Sequence, residues 1–289
     1  MRDQPLYNAV LERYSVRRYQ DQPLSEEHIE AVKHIIAKIT PLAVHAAVQF
    51  FQLSAYANAF DRLVMQGPHG QLINAPHVIL PYTANLQTTE LETGFQAQQF
   101  CVRCYQLGIG TCYIGTAGRE HGVASHFHLP EASQMGAAVV YGLPVEKETR
   151  TLANYLRKPG YRTRRKPMEE IFSVNTFHQA GEAPESLKEI LLAAQRSPSA
   201  TNAQPWHLLL KDHWLYLYTN PGVYPKILHE SSRLTYALFD AGILMANVSL
   251  AYEALDTFRE WEVGFGKETE YPAASQGILP VARIYTGEQ

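Results

Sequence analysis

Apolar positions at helical spacing recur twice along the chain in the same setting. Ile29, Val32 and Ile36 follow the stretch "YSVRRYQDQPLSEEH", and Leu187, Ile190 and Ala194 follow "FSVNTFHQAGEAPES". Each set predicts an amphipathic helix behind a proline or acidic turn. Each helix is followed by an apolar strand, "VQFFQL" after Pro41 and "WHLLL" after Pro205, and then by a second one, "HVILPYTA" and "HWLYLYTN". Long helical patterns come next, "TGFQAQQFCVRCYQLG" and "AGILMANVSLAYEALD", and closing strands "GAAVVYGLP" and "LPVARIYTG" end each series. The order helix, strand, strand, long helix, strand is therefore spelled twice.

The two stretches also align residue on residue. Laid from Tyr14 on Phe172 without a gap, they place Ser15 on Ser173, Val16 on Val174 and Tyr19 on Phe177; in the long helices Gly94, Gln99 and Leu107 fall opposite Gly242, Asn247 and Leu255. This predicts an internal duplication, with a first half over 1–149, a basic linker over 150–167 and a second half over 168–289. Helices and strands mix without strict βαβ alternation, so the expected class is α+β.

At 289 residues, 46% hydrophobic and 18% charged, the chain is long enough for two ordinary domains or one large one. A net charge of −3 gives no bulk attraction to nucleic acid or to an anionic membrane. The N-terminal stretch lacks a signal-peptide core and no uninterrupted apolar run nears about 18 residues, so a cytoplasmic protein is expected. Cys101, Cys104 and Cys112 are too few and too odd in number for a disulfide framework. Cys101 and Cys104 form C-x-x-C inside a helical pattern, where they read as core-facing neighbours, and no second pair completes a four-ligand metal set; no metal is expected.

The candidate chemistry lies where the copies disagree. In "RYSVRRY" an extended chain would point Arg13, Ser15 and Arg17 one way, two guanidiniums around a hydroxyl, which suits a phosphate as well as it suits a solvated basic strand. "LGIGTCYIG" follows a helix where a dinucleotide fingerprint would precede one, so Gly108 reads as an αL cap, while Gly110 and Gly115 suit either a flat ligand on the backbone or a plain helix-terminating loop. The run from 150 to 166 carries seven cations and no acid, a solvated linker or a source of one more arginine for the same anion. In "SPSATNAQPW", Pro198 and Pro205 punctuate the chain, but Ser199, Thr201, Asn202 and Gln204 exceed what a capping loop needs, and amides match a heteroaromatic edge with adjacent N–H and C=O groups.

Together these segments resemble the FMN-dependent nitroreductase family: "RYSVRRY" its R-x-S-x-R signature, "SPSATNAQPW" its serine-rich loop ending in N-x-Q-P-W, "LGIGTCYIG" its G-L-G-T-C-W-I-G segment and "RRKPMEEIF" its basic tail. In ordinary members the serine loop follows the first motif closely; here it is displaced into the second half, as in the subgroup whose single chain imitates the family homodimer. The resemblance implies FMN bound by Arg13, Ser15, Arg17 and Arg165 at the phosphate and ribityl chain, by backbone groups of Ile114, Gly115 and Thr116 beside flavin N5, and by Pro198, Ser199, Ala200 and Asn202 around the ring. Thr116 replaces the family's second glycine. It further implies NADH or NADPH as electron donor, a small nitroaromatic or quinone acceptor, no side-chain acid or base, one composite site per chain and a monomer sufficient for it. A flavin store or sensor, reductive dehalogenation and flavin fragmentation are the alternatives on the same fold.

Overall fold

The computed structural model describes residues 3–42, 49–54, 73, 75–84, 89–116, 120–126, 128–129, 133–134, 136–145, 164–177, 179, 181–264 and 270–287. In chain order these form α1 (Gln4–Glu12), α2 (Glu26–Ala37), β1 (Gln49–Ser54), β2 (His77–Ala84), α3 (Thr89–Gln106), β3 (Gly110–Gly115), α4 (Glu120–His126), β4 (Ser133–Gln134) and β5 (Ala137–Gly142). There follow α5 (Met168–Ile171), β6 (Phe172–Val174), α6 (Glu185–Gln195), β7 (Trp206–Lys211), β8 (Trp214–Thr219), α7 (Glu230–Ala254), β9 (Trp261–Val263) and β10 (Leu279–Tyr285). The mixture is α+β, as the patterning predicts.

Two mostly antiparallel sheets carry the strands, in the orders β1-β2-β5-β3, with β4 on the end of β2, and β6-β7-β8-β10-β9. The stretch "GTCYIG", for which the sequence leaves a ligand-contacting backbone and a helix-terminating loop both open, is strand β3, paired with β5 from Gly110↔Gly142 to Gly115↔Ala137. Its Thr, Cys, Tyr and Ile supply strand-forming side chains that the flanking glycines obscure. Gly108 does take the left-handed conformation, at φ 73°, that the αL cap requires.

The gapless alignment from Tyr14 on Phe172 places its two short extended segments differently. Ser15 forms a parallel bridge with Thr111 of β3, whereas Phe172–Val174 lies parallel to β7, the first of the strands that follow α6. What precedes each segment explains the difference. Helix α1, capped by the Asp3 carboxylate accepting from the Leu6 N–H at 3.0 Å and with Pro5 in its first turn, is fastened across the molecule by Asp3 N–H to Ala254 O and Tyr7 OH to Glu189 O, and releases the chain beside β3. Residues 164–171 instead run along the exit of α6 and release it beside β7.

The centre is the crossing of α3 and α7. A methyl group on Gly94 would overlap the Phe239 carbonyl oxygen, and one on Gly242 would overlap the Leu91 carbonyl oxygen, so the two backbones touch. By length and composition α7 passes for a membrane span, although Asp240, Asn247 and Ser249 interrupt its apolar residues; 78% of its apolar window is buried within the fold, as a helix apolar all round requires. Cys101 and Cys104 lie on α3 in the core with Phe100 and Tyr141, and burial pushes both thiols up.

Candidate functional site

The segment after α1 runs along β3, with Val16 N–H donating to Thr111 O at 2.9 Å. Val16 and Tyr19 are buried, and Gly110 makes room for Val16, since a methyl group there would stand 2.7 Å from a valine methyl. Arg13 is buried too, at 7% exposure, with its guanidinium 5.9 Å from the Tyr113 ring centre. Its Nη1 makes no hydrogen bond among the described residues, nor does Nε of Arg17, whose Nη1 reaches the Ser15 carbonyl only at 3.5 Å. A buried guanidinium without a carboxylate is costly unless an anion completes it. The arginines and Ser15 therefore fit a phosphate or another anion.

On β3, Ile114 is fully buried in the sheet core. Gly115 faces α7, where a methyl group would stand 2.6 Å from the Tyr236 hydroxyl oxygen, and the Thr116 N–H donates to Gly136 O at 3.3 Å. The space that Gly110 and Gly115 leave is filled by Val16 and Tyr236 side chains.

The serine-rich loop is built on strain and polar ties. Thr201, Asn202 and Gln204 have φ of 54°, 58° and 48°, a left-handed conformation costly for a β-branched residue. Residues 164–166 hold it. Arg165 Nη1 donates to Asn202 Oδ1 at 2.7 Å and Nη2 to Arg196 O at 3.1 Å; the Asn202 and Gln204 amides both donate to Arg164 O. Lys166 contributes its N–H to Gln204 Oε1 at 2.8 Å and its ammonium to Gln204 O at 2.9 Å. Ser199 Oγ accepts from the Gln204 N–H. Pro198, Ser199, Ala200 and Asn202 thus sit together and half-exposed, with Arg165 beside them; the surplus of amides is explained first by the loop's own geometry. Arg165 stands with Asn202 here, and Arg162 lies outside the described residues.

A buried polar chain joins this loop to β3. The Tyr113 hydroxyl donates to Gln98 Oε1 at 2.9 Å, the Gln98 amide to Asn247 Oδ1 at 2.7 Å, and the Asn247 amide to Ser197 Oγ at 3.0 Å and Ala193 O at 3.2 Å. Burial pushes the Tyr113 phenol well up, which keeps it a neutral donor. Beside the chain, Phe239 packs edge-on against Tyr113, with ring centres 5.8 Å apart, and Asp240 accepts the Ala200 N–H at 2.8 Å and the Tyr224 hydroxyl at 2.5 Å. Burial raises the Asp240 carboxyl to about 7 against the pull of those two hydrogen bonds.

The hydrogen-bonded chain Tyr113–Gln98–Asn247–Ser197 thus links β3, along which Arg13 and Ser15 lie, to the serine loop, which Arg165 and Asp240 hold. Sequence patterning had marked Asn247 only by its alignment with Gln99. Tyr113 lies within the "LGIGTCYIG" motif but without a role of its own there, and Tyr236 and Asp240 carry no motif, although an acid and an amide inside a long apolar pattern are a legible sign of buried polar work.

The fold and the site's motifs define a nitroreductase-type α+β protein. Residues 5–249 match the sequence profile of the family described as "Putative TM nitroreductase", and the chain belongs to that family. Among solved structures it is similar in fold to a "putative nitroreductase" from Thermotoga maritima, with 15% identity, TM-score 0.59, and coverage of 100% of this chain and 96% of that one. An FMN-dependent nitroreductase from Clostridium difficile matches 52% of this chain and 96% of its own, at 16% identity and TM-score 0.42. A nitroreductase in complex with FMN from Desulfovibrio desulfuricans matches 55% and 98%, at 19% identity and TM-score 0.42. Comparison with curated protein sequences gives no match.

Proposed function

We propose that the protein is a cytoplasmic FMN-dependent oxidoreductase that passes electrons from NADH or NADPH to a small electron-poor acceptor, a nitroaromatic or quinone, at one composite site per chain. The observation that carries this reading is Arg13, a buried cation whose Nη1 has no hydrogen-bonding group among the described residues, set beside Ser15 and Arg17 at the seam with the serine loop.

The proposal includes two halves, 1–149 and 168–289, joined by the linker 150–167 and packed as a pseudo-dimer, so that a monomer suffices. Reciprocal contacts support it. At the helix offset that lays Gly94 on Gly242, Leu91 falls on Phe239, and Gly94 abuts Phe239 while Gly242 abuts Leu91. Such i-to-j and j-to-i contact is the mark of a two-fold interface. Buried side chains repeat the pattern: Gln99 holds the exit of α2 at Thr40, as Asn247 holds the exit of α6 at Ala193 and Ser197.

When bound, FMN supplies the redox chemistry, a ring able to take up and return two electrons. Arg13, Arg17 and the Ser15 hydroxyl would hold its phosphate and ribityl end. Asn202 and Arg165 would fix the loop that borders the ring, with the β3 backbone at Ile114 and Gly115 on the other side. No side chain is assigned as acid or base.

One observation favours a second reading, a flavin store or sensor without turnover: Tyr236 packs on Gly115, and the Thr116 N–H and Asn202 amide are engaged within the protein. A visible spectrum of the purified protein should show a flavin band, and quinone-dependent NAD(P)H consumption should exceed that of free FMN. A colourless protein that binds no added FMN ends the flavin reading; stoichiometric FMN that neither nicotinamide reduces moves it to the store.

A further inference from the structure

We propose that Asp240 is a positioning residue, a buried carboxylate that ties the serine-rich loop to α7 through the Ala200 N–H and so sets that loop against the glycine strand β3. The proposal rests on the flavin reading only for its consequence at the ligand.

The geometry is specific. Asp240 is 1% exposed, and its Oδ2 accepts from both Ala200 N and Tyr224 OH. Its neighbours on α7 face the other sheet: Phe239 meets Tyr113 and Gly136, and Tyr236, one turn earlier, covers Gly115. One stretch of helix therefore touches β3 and the serine loop at once, and Asp240 is its link to the loop. Ala200 follows Ser199 and opens the turn containing the strained Thr201 and Asn202, so holding its N–H fixes where that turn begins.

The fold contains a second such tie that serves as an internal control. Glu92 on α3, at the position that the helix alignment lays on Asp240, is equally buried; its Oε1 accepts the Leu42 N–H at 3.0 Å and the Gln96 amide at 2.6 Å. Leu42 follows α2 as Ala200 follows α6, but the segment after it has none of the serine loop's hydroxyls and amides. The same device thus holds a loop with candidate ligand groups in one place and a loop without them in the other.

Titration separates local from global effects. The titratable groups facing Asp240 are Tyr224 from the loop before α7 and Tyr113 from β3, with Tyr236 5.9 Å from Tyr224, ring centre to ring centre. An ionised acceptor makes the stronger hydrogen bond, so the tie to Ala200 tightens as the pH rises through about 7. Global stability moves the other way: a carboxyl raised by burial contributes stability below its unfolded value, and that contribution is lost as pH rises through the folded one. A carboxylate with only a packing role would move both together.

The experiment is amide hydrogen exchange on the ligand-free full chain between pH 6 and 8, paired with FMN titration by fluorescence. Protection of Ala200 should rise across that range in the wild type, stay flat in Asp240→Asn and be about tenfold lower there at pH 8, while Leu42 is unchanged. Glu92→Gln should lower the protection of Leu42 and leave that of Ala200 unchanged. FMN affinity should fall about tenfold in Asp240→Asn and hold in Glu92→Gln. If Asp240→Asn does not fold, Tyr224→Phe, which removes a hydrogen bond favouring the ionised form, should move the midpoint of the Ala200 profile upward. Equal Ala200 protection in wild type and Asp240→Asn, or an unshifted midpoint in Tyr224→Phe, overturns the proposal. Failure of the wild type to bind FMN at any pH defeats the flavin reading, while the amide data still decide the tie.

Discussion

Glu92 and Asp240 hold equivalent backbone N–H groups, Gln99 and Asn247 hold equivalent helix exits, and yet the segments around them have diverged completely. The N-terminal region has a buried arginine where the C-terminal region has Ile171, at the offset that lays Ser15 on Ser173. There Ile171 belongs to the apolar core, and Ser173 Oγ is paired with His207 Nε2 at 2.9 Å. The C-terminal region has the strained loop, whereas the corresponding N-terminal stretch begins "TPLAV". Groups that fix the scaffold occur in both regions, whereas the buried Arg13 and the strained serine-rich loop each occur in one. The difference teaches where to look for ligand chemistry: at what one region has and the other lacks.

The comparison is broken most severely at the helix crossing. Gly242→Ala places a methyl group into the Leu91 carbonyl and 2.9 Å from the Phe95 nitrogen, both backbone atoms that cannot swing away. A loss of about 3 kcal/mol is expected by urea denaturation, at the upper end of what overpacking costs. Gly122→Ala on α4, where nothing lies within 4 Å, should instead be neutral or stabilising by up to about 1 kcal/mol. Similar midpoints for the two variants would mean that the helices do not meet backbone to backbone.

Arg13→Ile sharpens the comparison by giving the N-terminal region the residue that the C-terminal one carries. Removing a buried cation without an observed carboxylate should leave the ligand-free protein as stable or more so. FMN affinity should fall by about 2 kcal/mol, roughly thirtyfold, the scale of a charge-assisted hydrogen bond. Calorimetry and fluorescence titration read the two quantities separately. A destabilised protein with undiminished FMN affinity would assign Arg13 to the scaffold.

Much of this was legible in the sequence, for reasons that particular residues make plain. Strand β2 matches the run "HVILPYTA" end to end, and β1, β5, β7, β8 and β10 lie within a residue or two of their apolar runs, because short apolar runs bounded by turn residues mark strands. Gly94 and Gly242 stood out in long helices for which glycine is a poor former. Strand β3 was hidden because its glycines mimic a loop, and α1 because its Asp3 and Pro5 start signal precedes only a few apolar residues. The site was legible as a set of motifs but not as contacts: Asn202 and Gln204 match a ligand's edge in composition, and only tertiary placement shows Arg164, Arg165 and Lys166 engaging them. Asp240 is legible only as an acid in an apolar pattern, and its tie to Ala200 is not, since no spacing announces it.

The smallest expected effect tests whether the helix pair depends on shape or on charge. Arg103 on α3 donates from Nη2 to both carboxylate oxygens of Glu253 on α7, at 3.0 and 2.9 Å, and the Glu253 side chain is 51% exposed. The helix offset lays Arg103 on Ala251, so this ion pair has no counterpart at that offset and should be an addition to the crossing, with the glycines as its basis. Glu253→Gln is therefore expected to cost under about 1 kcal/mol, shrinking further in 1 M salt as exposed pairs do. A larger loss that salt does not diminish would place the origin of the α3–α7 contact in this charge pair, and the reciprocal glycine contacts would then be a consequence of the pairing rather than its cause.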